Sequence, residues 1–328
     1  MIPSLTGASP AGTYAHTASR DWMNNEETPE DCEDIAKQLI RNKPGKDFNV
    51  IFGGGGKNFT NEKNDLEGRT DGLDLIGEWK ENKKTTGKGY AYVTNLTQLN
   101  TIKSDDTDYI LGIFNDDKFE YNLDLTEEDD QPDLEDMTRK AIEILSKNEN
   151  GFVLFIEAAH VDKAHHDNLA RKSLEEVLRL DEAVTAALEM SDLEETLIIV
   201  TADHSHSLTI NGYPKRGTDI FGYDDTTDEQ LSDDGFYYPT LMYSTGPGRK
   251  RAGYDVSKEK DLKSKDYVAP ATFMRESSAH QGEDVAVYAV GPQAHLFKGL
   301  IQQYYIPHIL AYAACIGKGD KFCISPSI

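Results

Sequence analysis

GFVLFIEAAHVDKAHH, residues 151–166, decides how the rest of the chain is read. Phe152 to Ile156 is an apolar run, too short for a membrane span and bounded by polar residues. That is the pattern of a strand buried on both faces of a parallel sheet. Glu157, His160, Asp162, His165 and His166 follow directly, at the carboxyl end of the run, where open α/β sheets place their ligands. Ala170, Leu174, Val177 and Leu178 recur at helical spacing, so a helix is predicted to start near Asp162. On a helix, Asp162 and His166 stand four apart with Cβ atoms roughly 5–6 Å from each other. Two donors so placed can share one cation at about 2.0–2.2 Å each. Taken alone, the stretch also fits a solvated polar loop with a helix cap.

Two further stretches favour the metal. Thr196 to Thr201 (TLIIVT) reads as a second buried strand and ends in Ala202-Asp203-His204-Ser205-His206. Ala279-His280-Gln281-Gly282-Glu283-Asp284 precedes a third apolar run, Val285 to Val290. Three Asp/His/Glu groups, each beside a predicted core strand, imply convergence on one sheet edge. Oxygen and nitrogen donors without thiolate suit zinc in an open catalytic site, or a harder ion such as magnesium.

The 328 residues are enough for a full hydrophobic core in one large domain, or one domain with an insertion. A net charge of −24 argues against nucleic acid and anionic membrane surfaces as partners. An acidic protein still binds an anion where a metal or an arginine reverses the local field. Cys315 and Cys323 are close enough to close a small loop, while Cys32 has no obvious partner. Asn58-Phe-Thr60 and Asn95-Leu-Thr97 are glycosylation triplets that fit a secreted or surface protein. No signal peptide opens the chain and no apolar run approaches the ~20 residues a bilayer needs. An amino terminus lying further upstream would reconcile these observations.

Along the chain, a helix is predicted over Pro29–Leu39, then a strand over Asn49–Phe52 running into Gly53-Gly54-Gly55-Gly56. The glycine run lacks the Lys-Ser/Thr of a phosphate-binding loop, so a tight turn is the better reading. A helix near Gly72–Asn82, strands at Tyr90–Val93 and Tyr109–Phe114, a solvated acidic loop at 115–132 and a helix at Leu134–Lys147 follow. Residues 221–275, rich in Asp, Gly, Ser, Lys and Tyr around an apolar piece at Tyr237–Tyr243, read as an inserted subdomain. Residues 1–220 and 276–328 form the metal-site domain, with Leu300–Ala314 as a closing helix. Alternating strands and helices give an α/β fold with a largely parallel central sheet flanked by helices.

The chain resembles the animal-type alkaline phosphatases. ASPAGTYAHT (8–17), VIFGGGGK (50–57), TADHSH (201–206), GYPKRGTDIFG (212–222), HQGEDVAVYAVGPQAHL (280–296) and AYAAC (311–315) match in order over nearly the whole chain. The resemblance implies hydrolysis of phosphate monoesters with two Zn(2+) and one Mg(2+) through a phosphoserine. It implies Asp162, His166 and His280 on the first zinc, Asp203 and His204 on the second, Ser9 and Glu157 on magnesium, and Arg20 as a fork for the substrate phosphate. Lys163, His165 and His206 would stand behind these ligands. Cys315 and Cys323 would form a disulfide, Asn58 and Asn95 would carry glycans, and the full-length protein would be an extracellular or cell-surface homodimer. The chain ends without the hydrophobic tail of a lipid-anchor signal.

The resemblance also implies a serine nucleophile, a bridging aspartate and a cysteine partner for Cys32 in a segment upstream of Met1. Gly7 and Lys163 stand where animal relatives carry histidine; Lys163 resembles the bacterial branch. Asn115 and Gln131 stand where relatives have acidic calcium ligands. A catalytically silent metal-binding glycoprotein on the same scaffold is the alternative reading, and a related phosphodiesterase or sulfatase a further one. TADHSH and HQGEDVAV match phosphatases more closely than the last.

Overall fold

The structure, a computed structural model, describes residues 4–7, 10–12, 14–60, 68–225, 230–251 and 253–317. Its strands are β1 (Val50–Gly53), β2 (Tyr90–Val93), β3 (Tyr109–Ile113), β4 (Ile198–Thr201), β5 (Ser205–His206), β6 (Leu208–Ile210), β7 (Leu241–Gly246), β8 (Ala271–Met274), β9 (His280–Gln281) and β10 (Val287–Val290). Its α-helices are α1 (Ile35–Arg41), α2 (Leu75–Thr85), α3 (Leu96–Thr101), α4 (Leu134–Leu145), α5 (His160–His166), α6 (Ala170–Met190) and α7 (Tyr305–Ala313). Two compact units divide the chain: Met1–Ala183 with His206–His280, and Val184–Ser205 with Gln281–Ile328.

In the first unit β3 lies between β1 and β2 and runs parallel to both, Leu111 pairing with Ile51 and with Tyr92. Successive strand side chains point to opposite faces. Ile51 and Leu111 therefore enter one core with Ile35 and Leu39 of α1 and Ile76 and Trp79 of α2. Phe52 and Ile110 enter another with Leu99 of α3 and Met137 and Ala141 of α4. Helices on both faces explain why these strands read as unbroken apolar runs. Asp34 caps α1 by accepting from the Lys37 amide, and its buried carboxylate also holds the Arg69 guanidinium at 2.6 and 3.2 Å. Asp133 and Asp136 close a reciprocal capping box at the start of α4.

The glycine run forms a turn, as its composition suggests. Gly55 has φ +87, a conformation that disfavours a side chain. The amides of Gly55, Gly56 and Lys57 donate to the carbonyls of Asp117, Asn115 and Asp116, so they are not presented to a phosphate. Asn115 and Gln131 are likewise engaged: Asn115 Oδ1 accepts from the Asp117 amide, and Gln131 bonds both the amide and the carbonyl of Glu120.

The helix expected from Asp162 is two helices, α5 and α6, separated at Asn168. That residue is buried, has φ 57, and is bonded through its side chain to Thr245 O and Gly248 N. Within 221–275, β7 pairs antiparallel with β6 and parallel with β8. The expected insertion thus shares a sheet with the chain before it. In the second unit β4 and β10 pair antiparallel, Ile198 opposite Val290. The chain is mixed α/β, parallel in the β1–β3–β2 sheet, antiparallel in the β4–β10 pair and mixed in the β6–β7–β8 sheet.

Residues 152–156 differ from expectation. They adopt no assigned strand, and Val153 and Phe155 are 74% and 59% exposed, while Leu154 packs against the core of Phe52 and Met137. An apolar run becomes an interior strand only with ladder partners on either side, and none pairs with it among the described residues. The strand expected at Tyr90–Val93 has those bounds, whereas the first helix starts at Ile35 rather than Pro29, and the closing helix at Tyr305 rather than Leu300.

Candidate metal centre

Asp162 and His166 lie one turn apart on α5, and the carboxylate Oδ2 is 3.3 Å from His166 Nε2. β5 brings His206 Nε2 to 2.6 Å from Asp162 Oδ1, and β9 brings His280 Nε2 to 3.3 Å from the same oxygen. His280 Nε2 and His166 Nε2 stand 3.1 Å apart. One ligand atom from each of these four residues lies within 4.8 Å of all the others. Donors on a tetrahedral zinc with bonds of about 2.0–2.1 Å are separated by roughly 3.3 Å, close to several of these distances.

The tautomer of His166 follows from its second nitrogen. Nδ1 lies 2.7 Å from the Ser278 carbonyl, which only accepts, so Nδ1 carries the proton and donates. In the neutral ring Nε2 would keep a lone pair facing the cluster, the state a metal ligand needs. Ser277 Oγ also lies 3.0 Å from Nδ1. Burial opposes ionisation of Asp162, but the hydrogen bond from His206 and the charges of His166, His206 and His280 outweigh it and hold the carboxyl below its ordinary range.

His165 stays outside the cluster. Its Nδ1 meets the Tyr243 hydroxyl at 2.9 Å and its ring stacks on His206 at 5.0 Å. Burial foremost, then His206, pushes its pKa down to about 4. It supports the ring of His206 and remains neutral. His206, expected behind the ligands, stands in the cluster itself. The extended TADHSH stretch carries the hint, since residues two apart on a strand share a face, but the pattern does not say which carboxylate a histidine meets.

Asp203 and His204 belong to the second unit. Asp203 Oδ2 is 3.3 Å from His204 Nε2, and the His204 amide donates to Asp203 Oδ1. Glu157 Oε2 accepts from the Ala11 amide at 2.8 Å, which ties the end of the 151–158 stretch to the 8–17 motif. Ser9 and Cys323 lie outside the described residues. Arg20 is exposed, and among the described residues no contact joins it to the cluster. Lys163 lies close enough to Lys118 for its charge, ahead of burial, to lower the Lys118 pKa. Cys315 is disulfide-bonded, and Cys32 is free and exposed.

The glycosylation triplets separate. Asn58 is 3% exposed, its Nδ2 donating to Thr6 Oγ1 and its Oδ1 accepting from Asn24. Its side-chain amide is thus taken up by hydrogen bonds inside the folded chain. Asn95 is half-buried and caps α3 by accepting from the Gln98 amide through Oδ1.

With four donors assembled from three separate chain segments, the sequence motifs acquire a common centre. The family model for alkaline phosphatase matches residues 2–316. The chain belongs to the alkaline phosphatase family. It is 38% identical to the membrane-bound alkaline phosphatase of Bombyx mori over 98% of this chain and 60% of that protein. It is 40% identical to the tissue-nonspecific isozyme of Felis catus over 98% of this chain and 63% of that one. The chain therefore spans less than two thirds of the length of these relatives. Among solved structures, a cold-active alkaline phosphatase from Shewanella sp. superposes with a TM-score of 0.60 at 23% identity, covering 94% of this chain and 72% of its own. The alkaline phosphatase of the Antarctic bacterium TAB5 gives 0.59 at 20%, covering 95% and 69%. At these identities the structures speak for the fold. Among the described residues no helix is long and apolar enough to cross a membrane.

Proposed function

We propose that this chain carries the metal centre of a phosphomonoesterase that works with two zinc ions and one magnesium ion. The observation that supports it best is the convergence of Asp162, His166, His206 and His280, three imidazoles and a carboxylate within 4.8 Å. Asp162, His166 and His280 would hold the first zinc and His206 would orient Asp162. Asp203 and His204 would hold the second, and Glu157 with Ser9 would serve magnesium; one TAB5 variant structure carries magnesium in its M3 site. When bound, such ions supply charge stabilisation of the reacting phosphate and activation of an oxygen nucleophile.

The protein's own groups prepare that site. The Ser278 carbonyl fixes the His166 tautomer, and the three imidazoles keep Asp162 ionised. Arg20 would take the phosphate oxygens through its planar fork, neutralising charge in a chain of −24. Phosphate monoesters are the substrates, at the cell surface or outside it, with the whole protein a homodimer. The Cys315 disulfide goes to Cys323, and residues 221–275 overlie the site. Measuring bound zinc and magnesium together with hydrolysis of a chromogenic phosphate monoester tests this reading. Turnover that resists complete chelation, or faster cleavage of the corresponding diester, would overturn it. Tight zinc without any turnover in a protein that includes the upstream serine segment would favour the silent metal-binding alternative.

A further inference from the structure

A run of basic residues interrupts the acidic chain between β7 and β8. Residues 249–251 and 253–265 carry seven basic and three acidic side chains, a local net of +4 in a chain whose total is −24. The segment is pinned rather than loose. Val256 is fully buried and its amide donates to Tyr237 O; Tyr254 and Tyr267 join their hydroxyls at 3.1 Å. Lys250 is spent inside this platform, its ammonium 3.1 Å from Glu259 and 5.2 Å over the Tyr254 ring. Arg249, Arg251 and Lys260 are exposed and make no ion pair among the described residues. Lys263 reaches Asp219 at 2.8 Å and so ties to the platform the loop that bears the exposed Lys215 and Arg216.

We propose that this basic platform is a docking surface for a linear sulfated polysaccharide. Fixed, exposed cations on an otherwise acidic body attract an anion that is narrow enough to follow the strip and avoid its surroundings. A flat anionic bilayer would confront the acidic surface as well. A single-stranded nucleic acid would need open aromatic faces for its bases. Here Lys250 lies over Tyr254 and, at 5.8 Å, over Tyr267, whose hydroxyls are bonded to each other. Binding is independent of the phosphatase reading, since none of these side chains belongs to the metal cluster.

The test is affinity of the 328-residue chain for immobilised heparin at about 0.1 M salt, where the Debye length is ~10 Å and remote charges are screened. The native chain should bind and be released by added salt. Reversing Arg249→Glu, Arg251→Glu and Lys260→Glu together should lower affinity at least ~tenfold by loss of local charge complementarity, with bound zinc unchanged. Reversing Lys84, Lys88 and Lys103 to Glu changes the total charge equally and should leave binding within about twofold. If the triple variant does not fold, the three single reversals carry the same comparison. Failure of the native chain to bind, or an equal loss in the control, would overturn the proposal. Tighter binding to single-stranded DNA or to phosphatidylserine vesicles than to heparin would overturn the choice of partner.

Discussion

Removing His206 distinguishes a group that orients Asp162 from one that holds the metal. In the structure His206 Nε2 lies 2.6 Å from Asp162 Oδ1, and its side chain is almost fully buried between His165 and the cluster. Truncation to alanine deletes one charge-assisted hydrogen bond to the carboxylate while leaving Asp162, His166 and His280 in place. Loss of an outer partner of this kind lowers metal affinity roughly 10–100-fold, or about 1.4–2.8 kcal/mol at 1.4 kcal/mol per decade. His280→Ala, by contrast, deletes a donor that stands 3.1 Å from His166 Nε2 and 3.3 Å from Asp162 Oδ1, and should remove about one equivalent of zinc per chain. The assay is competition between the protein and a chromogenic zinc chelator, with circular dichroism to confirm that each variant is folded. If His206→Ala loses a whole equivalent as His280→Ala does, His206 is a ligand and the orienting role is refuted.

Four further outcomes are expected. His165→Ala should cost less zinc affinity than His166→Ala, because its Nδ1 is committed to Tyr243 and its ring only backs His206; chelator competition showing the reverse order would remove that assignment. Asp34→Ala takes one of two carboxylates from the buried Arg69, leaving Asp71 at 2.8 Å, and uncaps α1, so urea unfolding should show a loss of about 2–4 kcal/mol, and a loss below ~1 kcal/mol would contradict it. Asp124 resists burial through Lys172 and Lys265, which hold its pKa below the usual carboxylate range. Its stabilising contribution is therefore present above the unfolded-state value of about 3.9 and lost as pH falls through the lower folded value. Unfolding midpoints should accordingly fall less steeply with acid in Asp124→Asn than in the native chain. Expressed through a secretory pathway, the chain should lose glycan mass on Asn95→Gln and none on Asn58→Gln, as read by mass spectrometry.

Much of the fold was legible because each element of the β1–β3–β2 sheet carries its environment in its composition. Ile51 and Phe52 are adjacent yet serve opposite cores, and only a strand covered by helices on both faces needs two neighbouring apolar residues there. The glycine run was legible for a negative reason: it lacked what a phosphate loop requires, and its amides are taken by 115–117. The break between α5 and α6 was not legible. Asn168 holds a positive φ because its side chain bonds Thr245 and Gly248, some eighty residues on, and no local pattern encodes that contact. Residues 152–156 misled for a related reason, since apolar composition expresses a capacity for burial while a ladder depends on partners elsewhere.

The metal centre shows the same division between what a motif states and what a fold decides. Asp162 and His166 are related by helical spacing alone, so their pairing at 3.3 Å could be anticipated from two letters and a period. His280 lies more than a hundred residues away, and its place could be argued only from the rule that strand ends gather ligands. His206 resisted both arguments. A histidine two residues beyond another shares its face on an extended chain, but the role it takes depends on which acceptor the opposing element presents. Here α5 presents Asp162 Oδ1, the oxygen that also lies nearest His280, so a single carboxylate atom is shared between a histidine expected on the metal and one expected behind it. With the two nitrogens 2.6 and 3.3 Å from one oxygen, position alone does not assign them different roles. The proposed orienting role follows from chemistry instead: the shorter contact is a hydrogen bond that the ionised Asp162 accepts from His206 Nε2, and His206→Ala tests whether a cation takes the place of that proton.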